Sequence, residues 1–263
     1  VWALLRLSSE SSIAQIVWAG LMAGALALFR SEMVMLIPLL AFWLWFRAFN
    51  RTSILKPRVF LGTAVLVIMP WTFRNYLVFH RIVPIHTSSG YDFARGHNPD
   101  ATGTGLTFDG IPIEPASGIA GVEERIAALQ PTEDWEVRTD GIYMQAALDY
   151  IASHPWRTVK LTAAKLFYFW TIDFTYPLAR HPLYWIPWFC VLILAIIGLV
   201  RAAKANVGAS LIYLYLLFYT GLEMTVFVLP RHRLFIEPFV LLLASYALYV
   251  LWESRRGRIS LSR

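Results

Sequence analysis

The sequence predicts an all-α membrane protein: a polytopic bundle of transmembrane helices with a small extracytoplasmic domain of mixed or α-helical structure. Three observations predict this fold class. Apolar residues make up 57% of the chain and charged residues only 15%, whereas soluble domains have about 25% charged residues. Aromatic residues reach 15%, which is typical of proteins with long membrane–water boundaries. Apolar runs of near-membrane length also recur along the chain.

Six apolar runs predict about six crossings, because about 20 apolar residues span a 30 Å hydrocarbon core. The runs are Ile13–Phe29, Met33–Phe46, Val59–Phe79, Tyr184–Val200, Val207–Leu229 and Leu234–Trp252. The first is rich in Ala and Gly, which lets helices approach closely. The third contains Pro70. The chain begins with Val1 and enters an apolar run almost at once, so we expect it to be part of a longer protein.

Between the third and fourth runs the composition becomes that of a hydrated domain. Residues 81–155 contain 11 Asp and Glu against 4 Arg, and the first half is rich in Gly, Pro, Asn and Thr, which favour turns. The second half predicts two helices, Ile119–Leu129 and Glu133–Ser153. Acidic residues favour the start of the second helix, and Pro155 ends it.

Basic residues orient the predicted bundle. Cytoplasmic loops carry an excess of Lys and Arg, and two segments of this chain are basic. These are the loop with Arg47, Arg51, Lys56 and Arg58, and the tail with Arg255, Arg256, Arg258 and Arg263. Both fall on the cytoplasmic side if Arg157–Thr175 is an amphipathic interfacial or re-entrant helix on the outer side. A seventh crossing at this segment is the alternative. The net charge of +6 is explained by this pattern, and we expect no nucleic-acid partner.

The predicted organisation therefore has five parts. They are three crossings in residues 1–79, an extracytoplasmic domain in 80–156, an interfacial or re-entrant helix in 157–182, three crossings in 183–253 and a basic cytoplasmic tail in 254–263. The predicted location is the cytoplasmic (inner) membrane.

Four arginines are predicted at the outer ends of the helices: Arg30, Arg74, Arg231 and Arg233. Lone arginines at helix ends usually anchor the helix in the interface. A cluster on the outer side opposes the positive-inside bias, and guanidinium groups bind phosphate in a bidentate manner. The cluster therefore indicates a site for a lipid-linked phosphate, with Glu32 and Glu237 close by.

Three further groups of polar residues have open interpretations. Glu223 lies inside the fifth run, where it is a partner of a site arginine, a polar group that lines the lipid groove, or part of a structural ion pair. His97 and Asn98 could contact a sugar or form a turn. The six histidines lack metal-ligand spacing, so no metal site is predicted.

The chain resembles the bacterial members of the dolichyl-phosphate-mannose–protein mannosyltransferase family (glycosyltransferase family 39), in the glycosyltransferase-C superfamily. Four stretches carry the resemblance, in matching order: Gly24–Glu32 (GALALFRSE), Met69–Tyr76 (MPWTFRNY), Arg95–Pro99 (RGHNP) and Pro230–Phe239 (PRHRLFIEPF). The stretch His154–Trp156 supports it. The chain departs from the family at His232, where a Tyr is common, and at Phe235, where a Pro is common.

The resemblance implies an inverting transfer of a sugar from a polyprenyl-phosphate donor to a glycan, lipid or protein acceptor at the outer face of the membrane. It implies that the arginines bind the phosphate, and that Tyr91, Arg95, His97 and Asn98 form part of a lid over the substrate. The catalytic base is expected before the start of this sequence, and Glu32 is a weak local candidate that is as readily a partner of Arg30. We expect no cofactor, although a divalent cation is conceivable in the preceding part of the protein.

Two other classes stay open. A polytopic transporter would show inverted repeats and broken helices near the bilayer midplane, and no such repeat is visible. An O-antigen polymerase or ligase would also use outer-face arginines, but its large outer loop falls elsewhere.

Overall fold

The structure is a computed structural model that describes residues 11–47, 54–205 and 209–256, and within these ranges all regular structure is helical. The α-helices in chain order are α1 (Ile13–Phe29), α2 (Leu36–Arg47), α3 (Leu55–Phe79), α4 (Ser89–Arg95), α5 (Val122–Ala127), α6 (Trp135–Ser153), α7 (Pro155–Trp170), α8 (Pro182–Lys204), α9 (Ser210–Thr225) and α10 (Glu237–Arg255). Short 3-10 helices cover Ser31–Met35, Pro177–Arg180 and Pro230–Phe235. The all-α expectation is therefore confirmed for the described residues.

The predicted helices are found, with shifted ends in several cases. The first run matches α1 at both ends, where Ser12 and Gln15 form a capping box. The third run becomes the 25-residue α3, which continues through Pro70. The two helices of the hydrated segment are shorter than predicted: α5 begins and ends inside its expected range, and α6 begins two residues late but ends at Ser153 as predicted.

The fifth and sixth runs require a correction at the connection between them. Helix α9 ends at Thr225 and α10 begins at Glu237, so the predicted crossings lose residues 226–229 and 234–236. Pro230 lies within this connection, where it begins a 3-10 helix. Four residues used in the sequence predictions lie outside the described ranges: Arg51, Val207, Arg258 and Arg263.

The chain divides into two compact units. The first contains the described residues up to Ser89 together with Glu124–Ile142, and the second contains Gly90–Glu123 together with the described residues from Tyr143 onward. The predicted hydrated domain of residues 80–156 is thus distributed over both units, and the boundaries fall inside α4, α5 and α6.

In the first unit, α1 packs against α3 along a stripe of small residues. Ala19, Gly20, Ala23 and Gly24 are buried on one face of α1. A Cβ atom added at Gly24 would lie 2.6 Å from the backbone oxygen of Ala64 on α3, so the two backbones touch where the side chains are absent.

The second unit repeats this arrangement between α8 and α10. Ala195, Gly198 and Ala202 are the buried residues of α8. A Cβ atom at Gly198 would collide with the backbone oxygen of Leu243 on α10. Helix α7 packs against α9, and its buried row is Leu161, Lys165 and Phe169. Lys160 is exposed on α7, so only one of its two lysines is available to the polar face of an interfacial helix.

Large apolar side chains point away from both units. Trp18 and Phe29 on α1 are 62% and 93% exposed, and Leu217 on α9 is 74% exposed. Helices α1 and α8 therefore contact their neighbours through small residues and expose many large apolar ones, although Phe60, Phe169 and Tyr219 on other helices are fully buried.

One described helix is long and apolar enough to cross a membrane by length and composition. This is α8, whose 23 residues extend for about 34 Å. Ile13–Phe29 and Ser31–Phe46 are apolar but shorter. The structure thus supports membrane association at one helix, and the six predicted crossings are not established by it.

Replacing Gly24 with Ala tests the close approach of α1 and α3. We expect Gly24→Ala to lower the free energy of unfolding by about 1–3 kcal/mol, because the added methyl group displaces the α3 backbone. Thermal unfolding of the purified protein in detergent measures the effect. Gly62→Ala is the matched control, since nothing lies within 4 Å of a Cβ atom at Gly62 and Ala favours the helix. Equal unfolding midpoints for both variants would contradict the packing.

Candidate functional site

Arg30 and Glu32 form an ion pair in the first unit. The Arg30 Nε atom lies 3.4 Å from Glu32 Oε2, and the two side chains are 21% and 42% exposed. Both residues stand at the junction between α1 and the 3-10 helix Ser31–Met35. The structure therefore places Glu32 beside Arg30, the pairing that the sequence offered as the alternative to a catalytic role.

Arg74 also belongs to the first unit and is exposed on the last turns of α3. Its Nη1 donates a hydrogen bond to Asn75 Oδ1 at 3.1 Å, and its guanidinium lies 5.5 Å from the ring centre of Trp71. Asn75 is buried, and its amide donates to the carbonyl oxygens of Val83 and Ile85. The hydrogen bond to the buried Asn75 thus positions the Arg74 guanidinium, which remains exposed to a ligand.

Arg231 and Arg233 follow each other closely in the second unit but have opposite environments. Arg231 is exposed and has no hydrogen bond or ion pair with any described residue. Arg233 is buried, and its Nη2 donates to the carbonyl oxygens of Tyr168 and Thr171 at 2.7 and 2.6 Å. These carbonyls lie at the C-terminal end of α7, where helix oxygens lack partners within the helix.

The structure therefore gives Arg233 a role that the sequence analysis missed. It closes the end of α7 and fixes the 3-10 helix Pro230–Phe235 against it. Its guanidinium also lies 5.1 Å from the ring centre of Trp188 on α8. Glu237, half-buried in the first turn of α10, interacts electrostatically with Arg233. Arg30 and Arg74 belong to one unit and Arg231 and Arg233 to the other, so a gathering of all four stays a prediction.

Glu223 pairs with a histidine rather than with an arginine. Its Oε2 atom lies 2.6 Å from Nδ1 of His232, and the two side chains are 3% and 10% exposed. Glu223 stands on α9, and His232 lies between the two arginines of the 3-10 helix. The sequence could have suggested this pair, since a lone carboxylate in an apolar helix needs a partner nearby.

The predicted lid residues are mostly held by internal hydrogen bonds. Arg95 donates from Nε to the carbonyl oxygen of Ile113 at 2.7 Å, and its guanidinium lies over Phe227. Asn98 is fully buried and its amide donates to the carbonyl oxygen of Ala94. Tyr91 is 37% exposed and packs edge-on against Tyr143, so it is the member of this group with the most accessible surface.

His97 belongs to a buried pair with Lys165 that the sequence analysis also missed. Lys165 is completely buried, and its Nζ lies 3.0 Å from His97 Nε2 and 3.3 Å from the carbonyl oxygen of Met224. His97 Nδ1 lies 2.9 Å from the carbonyl oxygen of Phe93, so Nδ1 carries the proton and Nε2 accepts from the lysine. The one available signal was the position of Lys165 in a row of apolar residues spaced by four.

Burial lowers both pKa values in this pair. Burial lowers the pKa of Lys165 to about 7. Burial, followed by the charge of Lys165, lowers the pKa of His97 to about 4. Among the described residues no carboxylate lies within ion-pair distance of Lys165, which explains why its charge is disfavoured.

Asp173 forms a second buried polar group beyond the end of α7. Its Oδ1 atom accepts hydrogen bonds from the backbone and hydroxyl of Thr175, whose hydroxyl lies 2.7 Å from that of Thr104. Oδ2 is buried without a hydrogen-bond partner. The carboxylate interacts electrostatically with Arg233, so it lies near the closed end of the helix.

No metal site is formed by the described residues, in which no group of three or more His, Cys, Asp or Glu could hold an ion. A charged cleft of about 260 Å³ in the first unit is lined by ion pairs instead. There Arg81 pairs with Asp134 at 3.2 Å, and His80 pairs with Glu133 at 2.8 Å.

The fold and site define a helical protein with apolar outer faces and an exposed arginine beside a buried carboxylate–histidine pair. No protein-family profile, curated protein or solved structure matches the chain.

The buried Lys165 is expected to make stability depend on pH. Its pKa is about 7 in the folded protein and 10.5 in the unfolded chain, so the unfolded chain binds more protons between these values. The free energy of unfolding therefore rises with pH through this window. As the pH falls toward 7, the folded protein increasingly bears the cost of keeping Lys165 unprotonated, and its stability decreases. Unfolding midpoints measured from pH 7 to pH 9 should rise in the wild type and change less in Lys165→Met.

Lys160→Met is the matched control for this measurement, because Lys160 lies exposed on the same helix. It should keep the pH dependence of the wild type. A slope in Lys165→Met equal to that of the wild type would contradict the assigned environment.

Proposed function

We propose that the protein crosses the membrane several times, with α1, the segment Ser31–Arg47, α3, α8, α9 and α10 as the six crossings. The exposed large apolar side chains support this proposal, since such surfaces in water would drive aggregation. Packing through Gly20, Gly24 and Gly198 supports it as well, because small residues let helices associate in lipid. The shorter helices fit a bilayer that thins locally around them.

The topology can be tested with the single native cysteine. Cys190 is exposed on α8, nine residues into the helix, so in the proposed membrane it faces lipid. We expect a membrane-impermeant maleimide to leave Cys190 unlabelled in intact cells and to label it after unfolding in detergent. The second arm uses Cys190→Ser with either Asp109→Cys or Lys56→Cys, both at exposed or partly exposed positions.

The proposed orientation predicts different labelling for the two introduced cysteines. Asp109→Cys should react in intact cells, and Lys56→Cys only after the membrane is permeabilised. Labelling of Cys190 in intact cells, or reaction of both introduced cysteines from the same side, would contradict the topology.

We propose that the protein is a membrane glycosyltransferase that moves a sugar from a polyprenyl-phosphate donor to an acceptor at the outer face of the membrane. The observation that carries this proposal is Arg231, an exposed guanidinium without a partner among the described residues. It lies between α9 and α10, whose outer faces are apolar. The polyprenyl tail would pack against the apolar faces of α9 and α10, and the phosphate would bind the Arg231 guanidinium.

The chemistry of transfer fits this arrangement. The reaction breaks the bond between the anomeric carbon and a phosphate oxygen, so negative charge develops on the departing polyprenyl phosphate. A cation fixed at that oxygen stabilises the transition state. Arg233 does not compete for this role, because its Nη2 is already held by two carbonyl oxygens. Arg74, exposed at the end of α3 in the other unit, is a separate candidate for phosphate binding.

Neither alternative class is favoured by a specific observation. A transporter would be supported by helices broken at mid-membrane, but α3 continues through Pro70 and α8 through Pro187. The resemblance of the four sequence stretches to the mannosyltransferase family favours the transferase.

Replacing Arg231 tests the transferase proposal. With the full-length protein in envelope membranes and a radiolabelled polyprenyl-phosphate sugar, we expect Arg231→Ala to lower the transfer rate about 10- to 100-fold. This corresponds to the loss of one charge-assisted phosphate contact, worth about 1.5–3 kcal/mol. Arg255→Ala, which removes an exposed arginine at the other end of α10, is the control and should keep full activity. Full activity of Arg231→Ala would remove the proposed role.

A further inference from the structure

The Glu223–His232 pair has the geometry of a proton-accepting dyad. The carboxylate comes from α9 and the imidazole from the 3-10 helix Pro230–Phe235, which the chain reaches after a short extended stretch. The 2.6 Å separation and the burial of both side chains make this a short, desolvated hydrogen bond.

The hydrogen bond fixes which nitrogen of the imidazole is free. With Glu223 ionised, Nδ1 carries the proton and donates it to Oε2 of Glu223. The lone pair is then on Nε2, which forms no hydrogen bond with any described residue. A tenth of the His232 side chain remains exposed, compared with 3% of Glu223, so the imidazole is the accessible member of the pair.

The dyad lies next to the arginine that carries the proposed phosphate site. Arg231 and His232 are consecutive residues, so their Cα atoms are about 3.8 Å apart. The Arg233 contacts to Tyr168 and Thr171 fix the 3-10 helix that carries both residues. One short segment thus presents an exposed cation and an oriented imidazole.

We propose that His232 is the base that accepts the proton of the acceptor hydroxyl, and that Glu223 positions it. This proposal rests on the proposed transferase function. The acceptor oxygen forms a bond to the anomeric carbon, and the bond from that carbon to the phosphate oxygen breaks with its electron pair going to polyprenyl phosphate. The hydroxyl proton moves to His232 Nε2, and the Glu223 carboxylate stabilises the imidazolium until the proton is released to water.

The family resemblance implies a catalytic base outside the described residues. The dyad instead provides a base within them. It also replaces Glu32 as the local candidate, because Glu32 is paired with Arg30. The chain departs from the family at His232, where a Tyr is common, so the dyad is a feature of this chain rather than one carried over by resemblance.

The experiment measures transfer by the full-length protein with His232→Gln, Glu223→Gln and His232→Ala. We expect His232→Gln to lower kcat about 100- to 10,000-fold, the range for losing a general base, with the KM for the polyprenyl-phosphate sugar unchanged. Glu223→Gln should lower kcat less. Added imidazole should restore part of the activity of His232→Ala, which a purely structural role would not allow.

The exposed pair His80–Glu133 provides the matched control, since it has the same chemistry and a 2.8 Å separation but side chains 68% and 72% exposed. His80→Gln should transfer sugar at the wild-type rate. A thermal unfolding transition shows that each variant is folded. Rescue of His232→Ala by imidazole is independent evidence that this variant is folded.

The outcomes separate the two proposals. No sugar transfer by the wild-type protein would overturn the transferase function and the dyad with it. Transfer by the wild type together with undiminished kcat in His232→Gln would overturn the dyad alone. Loss of activity in folded His232→Ala without rescue, accompanied by a raised KM, would assign His232 to donor binding and also overturn the proposal.

Discussion

The close approach of helix backbones at small residues is the constraint on which both units depend. Gly24 on α1 and Gly198 on α8 each face the backbone of a partner helix at a distance that no side chain could share. Because these contacts are filled by backbone and small side chains, many large apolar side chains of α1 and α8 lie exposed on the other faces of these helices. Trp18, Phe29 and their counterparts on the other helices then form the outer surface. That outer surface is the feature that supports the proposed membrane location.

Within the second unit, a small number of buried polar groups fix the segment between α9 and α10. Arg233 holds it to the end of α7, and Glu223 holds it to α9. Each contact joins residues of different elements, so the position of the segment is set from two sides. Arg231 is left exposed by the same arrangement, because its neighbours take the inward-facing positions. The proposed phosphate ligand Arg231 and the proposed base His232 are therefore both positioned by the same 3-10 helix.

The sequence predicted the helices well because their signals are local. The Ala- and Gly-rich run gave both ends of α1, and Pro155 marked the junction between α6 and α7. It did not predict where α9 ends, because apolar residues continue past Thr225 to Pro230 and hydrophobicity alone does not separate an extended segment from a helix.

The site was less predictable because its contacts are distant in sequence. Arg233 and Tyr168 are 65 residues apart, and Lys165 and His97 are 68 residues apart. Composition cannot tell an arginine that closes a helix end from one that remains free, which is the difference between Arg233 and Arg231. For Glu223 the sequence left a partner open, and the histidine two residues beyond Pro230 turned out to supply it.

The loop of residues 102–106 and the segment that follows α9 share backbone hydrogen bonds. The amide of Val228 donates to the carbonyl oxygen of Gly103, and the amide of Gly105 donates to the carbonyl oxygen of Val228. Thr104 is completely buried at this junction. An excised fragment of residues 80–156, produced alone for crystallisation, would lose these bonds and expose unpaired amides. Residues 80–156 therefore do not form an autonomous domain, because part of their backbone pairing comes from the segment that follows α9.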